Sequence, residues 1–541
     1  MKKSLKWVSG GLALMLSATA LAGCTTKTEG NTSSTTSPGA SAAVSKEPEK
    51  PVKLRVMLYD RGNAPEGMTL KEAPMVKWAI DEVKKIGIDL EYVPVPRASA
   101  GEKLNVWMAS GEATDIVFTY DLNEFIKFAD QGGLWELDSF IDKVGPNIKT
   151  NNKEALEVAG VYNGKRYAIP MYRANPFGGS IMGIRQDWLT KLNMKVPTTT
   201  DELYEVLKAF KEKDPGGVGK DKVIPWMVGP IGTGSKGFMY NVGYGFGLNM
   251  DGPALGGPDM PSGINRDGKF TTHIATPEGK ELLNFMNRAY KEGLISKEFA
   301  TDVNSQQLVQ QLAKGEGGFI DNNDNVWNLN QQTKKALPDA NWVPVDPFKR
   351  KDGSQLTGLN PAYGMFIMVP KSSKNPEAAV KFLNWMAQPE VSIALQSGLE
   401  GVHWKAEDGV RKAIDAAKNT KEINWYASYG DMSIMQQGQK PYTLDEMKKI
   451  YSANAGYVES IWPVWENFRK FGKPEPLITK SRPVAQKNLA NIQKQLNESV
   501  TKVIMSADFE KTYAELISNW EKAGGREYDA EVTEGLKTLA K

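Results

Sequence analysis

Two short segments carry side chains suited to recognising a polyhydroxylated ligand. Tyr59-Asp60-Arg61 and Tyr120-Asp121 each set an aromatic beside charged groups at the end of an apolar run. A tyrosine ring offers a flat apolar face to the C–H groups of a sugar, and a carboxylate accepts two hydroxyl hydrogen bonds. An equal alternative for each tyrosine is a strand-end residue packed on the neighbouring helix. Catalytic chemistry is less well provided for. The chain has one cysteine, Cys24, and two histidines, His273 and His403, which argues against disulfide frameworks, Cys-rich zinc sites and most His-centred catalysis. His403 reads as a structural histidine. Gly-x-Ser-x-Gly and His-Glu-x-x-His are absent; residues 232–237 match Gly-x-Gly-x-x-Gly but do not lead from a convincing strand into a helix, and read as a glycine loop. With 64 acids the chain holds carboxylates enough for a glycosidase pair, so a cleft glycoside-processing enzyme is one alternative. A surface glycan-binding adhesin is another, and it predicts a flat face and repeats.

Positioning those groups requires strands whose ends lie side by side. Residues 54–59 read as a strand, Val76, Ala79, Ile80 and Val83 repeat at helical spacing, and residues 88–93 alternate again, which makes a βαβ unit. A helical stretch at 104–108 leads into 115–119, a nearly continuous apolar run suited to a strand buried on both faces. The expected first lobe is a doubly wound α/β sheet, in which ligands bind beyond the C-terminal strand ends. Both tyrosine segments fall there. Further on, Thr199 and Glu202 form a capping box ahead of Leu203, Val206, Leu207 and Phe210, and Asn375-Pro376 opens a helix carrying Ala379, Val380, Leu383 and Met386. Phe509, Tyr513, Leu516 and Trp520 form a last stripe, stopped by Gly524-Gly525.

With 541 residues, 40% hydrophobic and 24% charged, the chain is long enough for several domains and is not generally disordered. Lys plus Arg number 67 against 64 acids, and the excess of three is matched by Lys2, Lys3 and Lys6 at the start. A neutral body with no basic run argues against nucleic acid as a partner. After those lysines comes a mostly apolar run at 7–21, shorter than a bilayer span, ending in Leu21-Ala22-Gly23-Cys24. This resembles the bacterial lipobox. It implies a signal peptide over 1–23 and a diacylated Cys24 as the mature N-terminus. Residues 25–50 hold eleven Ser or Thr, two Pro and no aromatic, and read as a disordered tether with a reach of roughly 25 to 30 Å.

Residues 102–137, EKLNVWMASGEATDIVFTYDLNEFIKFADQGGLWEL, resemble the first lobe of family 1 extracellular solute-binding proteins, the group that includes maltose-binding protein. Residues 161–170 resemble the segment before the chain crosses lobes. Residues 184–215, with 400–404 and 519–528, resemble a LipO-like lipoprotein branch. The likeness runs from about residue 52 to the end. It implies an α/β, two-lobed periplasmic-binding-protein-like fold of type II, with the ligand held between lobes and delivered to an ABC permease. The implied domains are 51–175 plus about 357–410 for lobe 1, and 176–356 plus about 411–541 for lobe 2.

Carried over on matching residues, the resemblance makes Tyr59, Asp60, Arg61, Tyr120 and Asp121 sugar contacts, with Trp327 as a stacking residue and Asn323 beside it. Weaker candidates are Tyr172 and Arg173 at the first crossover, Trp226, Tyr363 at the second, and Trp404. The expectation is a monomeric, lipid-anchored importer component on the outer face of a bacterial membrane. It has no catalytic residues and no cofactor, and takes an oligosaccharide. One departure concerns metal. Members of the branch often carry, after this Lys-Asp-Pro, a calcium loop resembling an EF-hand, with oxygen side chains at positions 1, 3, 5 and 9 and Gly at 6. Here Asp214 and Gly219 fill positions 1 and 6, but Gly216, Val218 and Lys222 take the other three, so no metal is expected.

Overall fold

The computed structural model describes residues 50–173, 181–229, 240–253, 262–302, 306–323, 326–359, 363–407, 409–427, 431–437, 443–450 and 455–539. The signal segment, Cys24, the tether and the glycine loop at 232–237 lie outside them. No described helix is long and apolar enough to cross a membrane.

The first sheet starts from the expected βαβ unit. Strand β1 (Val52–Asp60), helix α1 (Pro74–Lys84) and strand β2 (Ile88–Pro96) fold so that β1 and β2 pair in parallel, from Val52 opposite Ile88 to Asp60 opposite Pro96. Met75, Val76, Ala79 and Val83 bury one stripe of α1. Strand β3 (Val117–Thr119) lies beside β1 through the parallel bridge Val56–Ile116, and helix α2 (Leu122–Asp130) follows it. Strand β4 (Ala168–Arg173) ends the first passage through this lobe.

The second sheet uses β5 (Ile181–Arg185), β6 (Ile224–Met227), β7 (Gly317–Asn323) and β8 (Trp342–Val345) in the order β8-β5-β7-β6. Helix α3 (Thr200–Lys213) precedes β6, α4 (Pro277–Lys291) lies between β6 and β7, and α5 (Val326–Thr333) follows β7. Neighbouring strand residues point to opposite faces. Trp226 and Phe319 accordingly enter a core with Trp188, Phe210 and Phe285, while Met227 and Ile320 enter another with Leu329 and Trp342.

The chain then returns. Strand β9 (Thr357–Leu359) leads through residues outside the description to β10 (Tyr363–Met368), which inserts antiparallel between β3 and β4. The first sheet is therefore mixed, where the apolar strand at 115–119 had pointed to a parallel one. Strand β11 (Gln436–Gln437) adds in parallel to β4, and the Met435 carbonyl accepts from Tyr172 N at 3.0 Å and Asn152 Nδ2 at 2.7 Å. Ile423, Trp425, Tyr426, Met432, Ile434 and Met435 all belong to the first core. The first lobe thus keeps the chain to about residue 435, beyond the boundary expected near 410.

Helix α6 (Ala455–Phe471) packs on the Met227 and Ile320 face of the second sheet, and strand β12 (Gly472–Pro474) pairs in parallel with β9. Helix α7 (Pro483–Met505) and the closing α8 (Gly525–Leu536) cover the opposite face. The stop expected at Gly524-Gly525 is a break between helices: Gly524 has φ +97°, and α8 begins at the next residue.

Candidate functional site

Register collects the sequence candidates at one edge of the first sheet. The parallel pair ends with Tyr59 opposite Val95 and Asp60 opposite Pro96, so Arg61 and Arg97 leave the edge together. Strand β3 runs the same way and ends at Thr119, next to Tyr120-Asp121. Strand β10 runs against it, placing Tyr363 at that end and opposite Tyr172. Tyr59, Asp60, Arg61, Tyr120, Asp121, Tyr172 and Tyr363 thus share one rim, together with Arg173 at the end of β4.

The chemistry of that rim is layered. The Tyr59 ring, 4% exposed, lies nearly parallel to Tyr120, with 6.4 Å between centroids and 18° between planes, and edge-on to Phe118 at 4.8 Å. The Arg97 guanidinium covers both tyrosines, 4.6 Å from the Tyr59 centroid and 5.5 Å from Tyr120. Its buried Nε has no hydrogen-bond partner. Burial pushes the Tyr59 phenol up, against the opposing pull of Arg97. Behind the pair, Glu124 accepts from Thr119 Oγ1 at 2.6 Å and Asn105 Nδ2 at 3.1 Å. Burial raises its carboxyl above the ordinary range in spite of these hydrogen bonds.

The charged candidates differ in what they have left to offer. Arg61 is committed to the buried Asp431, with Nε to Oδ2 at 2.5 Å and Nη2 to Oδ1 at 3.0 Å. Asp60 Oδ1 accepts from Gly62 N. Asp121 caps α2 through Oδ1, which accepts from Asn123 N at 2.7 Å, and its side chain is exposed. Tyr172 donates to Glu154 Oε2 at 2.9 Å.

The second sheet contributes a matching rim. Asn323 at the end of β7 stands opposite Ile181 at the start of β5, and α5 opens at Val326 with Trp327 second. The passage from β4 to β5 runs from one rim to the other, the passage from β9 arrives at the first rim at Tyr363, and a third passage follows β11. Trp327 is half-buried: its ring meets Tyr457 edge-on at 6.4 Å and sits over Gly456, where a Cβ would come within 2.7 Å of it. Within this segment Asp321 is a structural carboxylate, fully buried and accepting from Asn241 Nδ2 and Val242 N.

Two candidates stand apart. Trp226 is 0% exposed between Phe285 and Phe319, so it is a core residue and not a ligand contact. Trp404 lies in a separate hairpin, Trp404–Glu407 with Val410–Ala413, where its indole donates to Gly398 O at 2.8 Å and Arg411 covers the ring. Arg97 went unrecognised in the sequence, although the loop after β2 was bound to adjoin the loop after β1. Among the described residues no group of three or more His, Cys, Asp or Glu is placed to hold a metal ion.

Residues 70–393 match the family described as bacterial extracellular solute-binding protein. The chain belongs to that family. Among the relatives, Lipoprotein LipO of Bacillus subtilis (strain 168) is 28% identical over 456 residues, 82% of this chain and 85% of LipO. The polygalacturonan/rhamnogalacturonan-binding protein YtcQ of the same strain is 27% identical over 476 residues, 85% of this chain and 88% of YtcQ. The fructooligosaccharide ABC transporter substrate-binding protein FusA of Streptococcus pneumoniae serotype 4 (strain ATCC BAA-334 / TIGR4) is 26% identical over 337 residues, 59% of each chain. A solved structure of S. pneumoniae FusA with kestose superposes with a TM-score of 0.67 at 17% identity, covering 90% of this chain and 99% of that one. The last likeness fixes the two-lobed solute-binding fold.

Proposed function

We propose that this solute-binding protein is the lipid-anchored receptor of an ABC importer, capturing an oligosaccharide between its two rims and passing it unchanged to a membrane permease. The observation that carries the reading is the Tyr59–Tyr120 pair under Arg97, beside the exposed Asp121, at the strand edge where the chain leaves β4 and re-enters at β10. The rings supply apolar faces, while Arg97 and Asp121 supply a donor and an acceptor for hydroxyl groups. On the rim of the second sheet, the exposed part of Trp327 supplies a further stacking surface. Two relatives named for binding polysaccharide or fructooligosaccharide support a carbohydrate ligand. The lipobox at Cys24 supports the anchor, and the folded body acts as a monomer.

Calorimetric titration of the soluble fragment with neutral and acidic oligosaccharides tests the ligand class, and chromatography of the recovered ligand tests the receptor role. Saturable binding with the sugar returned intact is expected. Conversion of the sugar would establish the glycoside-processing alternative, and absence of binding across a broad glycan panel would remove the carbohydrate reading. Cys24→Ser is expected to release folded protein from the membrane, because stable anchoring takes more than one acyl chain. Unchanged retention would overturn the anchor.

A further inference from the structure

The segment that follows α3 has the length and turn of a calcium loop, but oxygens that would face an ion already accept hydrogen bonds from the chain itself. Asp214, in the left-handed region at φ +45°, turns its carboxylate inward: Oδ1 accepts from Val218 N at 3.1 Å and Oδ2 from Gly219 N at 2.8 Å. In a calcium loop the carboxylate at this first position ligates the ion. The seventh position supplies a backbone carbonyl to the ion, and here that carbonyl is Lys220 O. It accepts instead from Lys211 Nζ at 3.0 Å, and the same ammonium donates to Val223 O at 3.1 Å. A second ammonium, Lys191 Nζ, donates to Pro215 O at 2.8 Å.

The missing oxygen ligands have packing reasons. A Cβ at Gly216 would come within 2.6 Å of the Trp188 ring, which is fully buried and edge-on to Phe210. An Asp at that third position would have to displace the core. Val218, at the fifth, packs against that same core. The residues present therefore do not fit a calcium ion.

We infer that the loop at 214–223 is held by a tethered cation, the Lys211 ammonium assisted by Lys191, in place of a metal ion. Lys211 sits on the last turn of α3, so its charge also lies where the helix dipole is negative. Because the cation is part of the chain, the loop stays ordered whatever the calcium concentration, and neither stability nor ligand binding is linked to calcium.

The test uses the soluble protein with its ligand site intact. Chelator and millimolar calcium are each expected to leave the melting temperature unchanged. Lys211→Met keeps the apolar stem and removes the ammonium, and is expected to lower the melting temperature by about 1–2 °C. Amide hydrogen exchange at Val218, Gly219 and Val223 is expected to rise at least tenfold in that variant, calcium failing to restore it. Lys213→Met, an exposed neighbour on the same turn, is the control and leaves exchange unchanged. A fall in melting temperature on chelation that calcium reverses would overturn the inference. So would wild-type exchange rates at those amides in Lys211→Met.

Discussion

Arg482 Nη1 donates to Asn123 Oδ1 across 2.9 Å, joining the start of α7 to α2 two residues beyond Asp121. Arg482 is 2% exposed, lies over the Tyr528 ring and has Glu531 Oε2 3.7 Å from its Nε. The contact ties a helix of the second core directly to the rim of the first. Asn123→Ala removes the partner of a buried guanidinium nitrogen, at a cost of about 1–3 kcal/mol. A lower melting temperature is the expected result, and an unchanged one would mean that the two helices do not meet in solution.

Arg97 is expected to touch ligand. Arg97→Gln replaces a charged donor, and a hydrogen bond from a charged group contributes about 1.5–3 kcal/mol, which corresponds to at least a tenfold weaker ligand in titration. The melting temperature is expected to move little, since Tyr59 stays packed on Phe118. Undiminished affinity would leave Arg97 a cover for the tyrosines alone.

The two tryptophans of the second lobe are expected to separate. Trp327→Ala removes a stacking face, and losing an aromatic anchor costs about 2 kcal/mol of binding. Because Trp327 also covers Gly456, some loss of stability accompanies it. Trp226→Ala empties a core site at about 3–5 kcal/mol of stability, with the affinity of the remaining folded protein intact. Titration and melting of both variants read the contrast, and equal binding defects in the two would refute it.

Asp529 makes stability depend on pH with the sign opposite to that of a salt-bridged carboxylate. Its carboxylate accepts from Thr272 N and Oγ1, yet burial outweighs these bonds and raises its pKa from 3.8 to about 6. The folded state therefore holds a proton that the unfolded state has lost between those values, and stability from this group falls as pH rises from about 4 to about 6. The full difference is about 2–3 kcal/mol. Asp529→Asn is expected to remove this component, so in urea unfolding the stability of the wild type relative to the variant falls as pH rises across that window. A constant gap from pH 4 to 7 would contradict it.

Much of this architecture was legible because it rests on local periodicity. The apolar stripe of α1, the strand at 88–93 and the Thr199 cap all appear where spacing put them. Even there detail shifted: Thr199 Oγ1 accepts from Glu202 N, but the Glu202 carboxylate reaches one residue further back, to Thr198 N at 2.7 Å. The rim was legible for a related reason, since a strand's last residues must face its open end. What stayed hidden depends on partners far along the chain. The pairing of Arg61 with Asp431 spans 370 residues, and no local pattern announces it. The antiparallel insertion of β10 and the reach of the first lobe to residue 435 are hidden for the same reason. Trp226 shows the limit of composition, since a strand aromatic looks the same in sequence whether it faces core or ligand.

Inserting β10 between β3 and β4 has a consequence for how the chain comes into being. The central strand of the first sheet is made some 190 residues after β4, once all of β5 to β9 has been synthesised. Until then β3 and β4 present open edges, and closing them spans a long loop of chain, which slows folding. A chain made from its N-terminus thus leaves its first lobe unfinished for most of synthesis, with open strand edges exposed to aggregation. A fragment ending at residue 356 is accordingly expected to lack the cooperative unfolding of the first lobe, and cooperative melting of that fragment would show that β10 is dispensable.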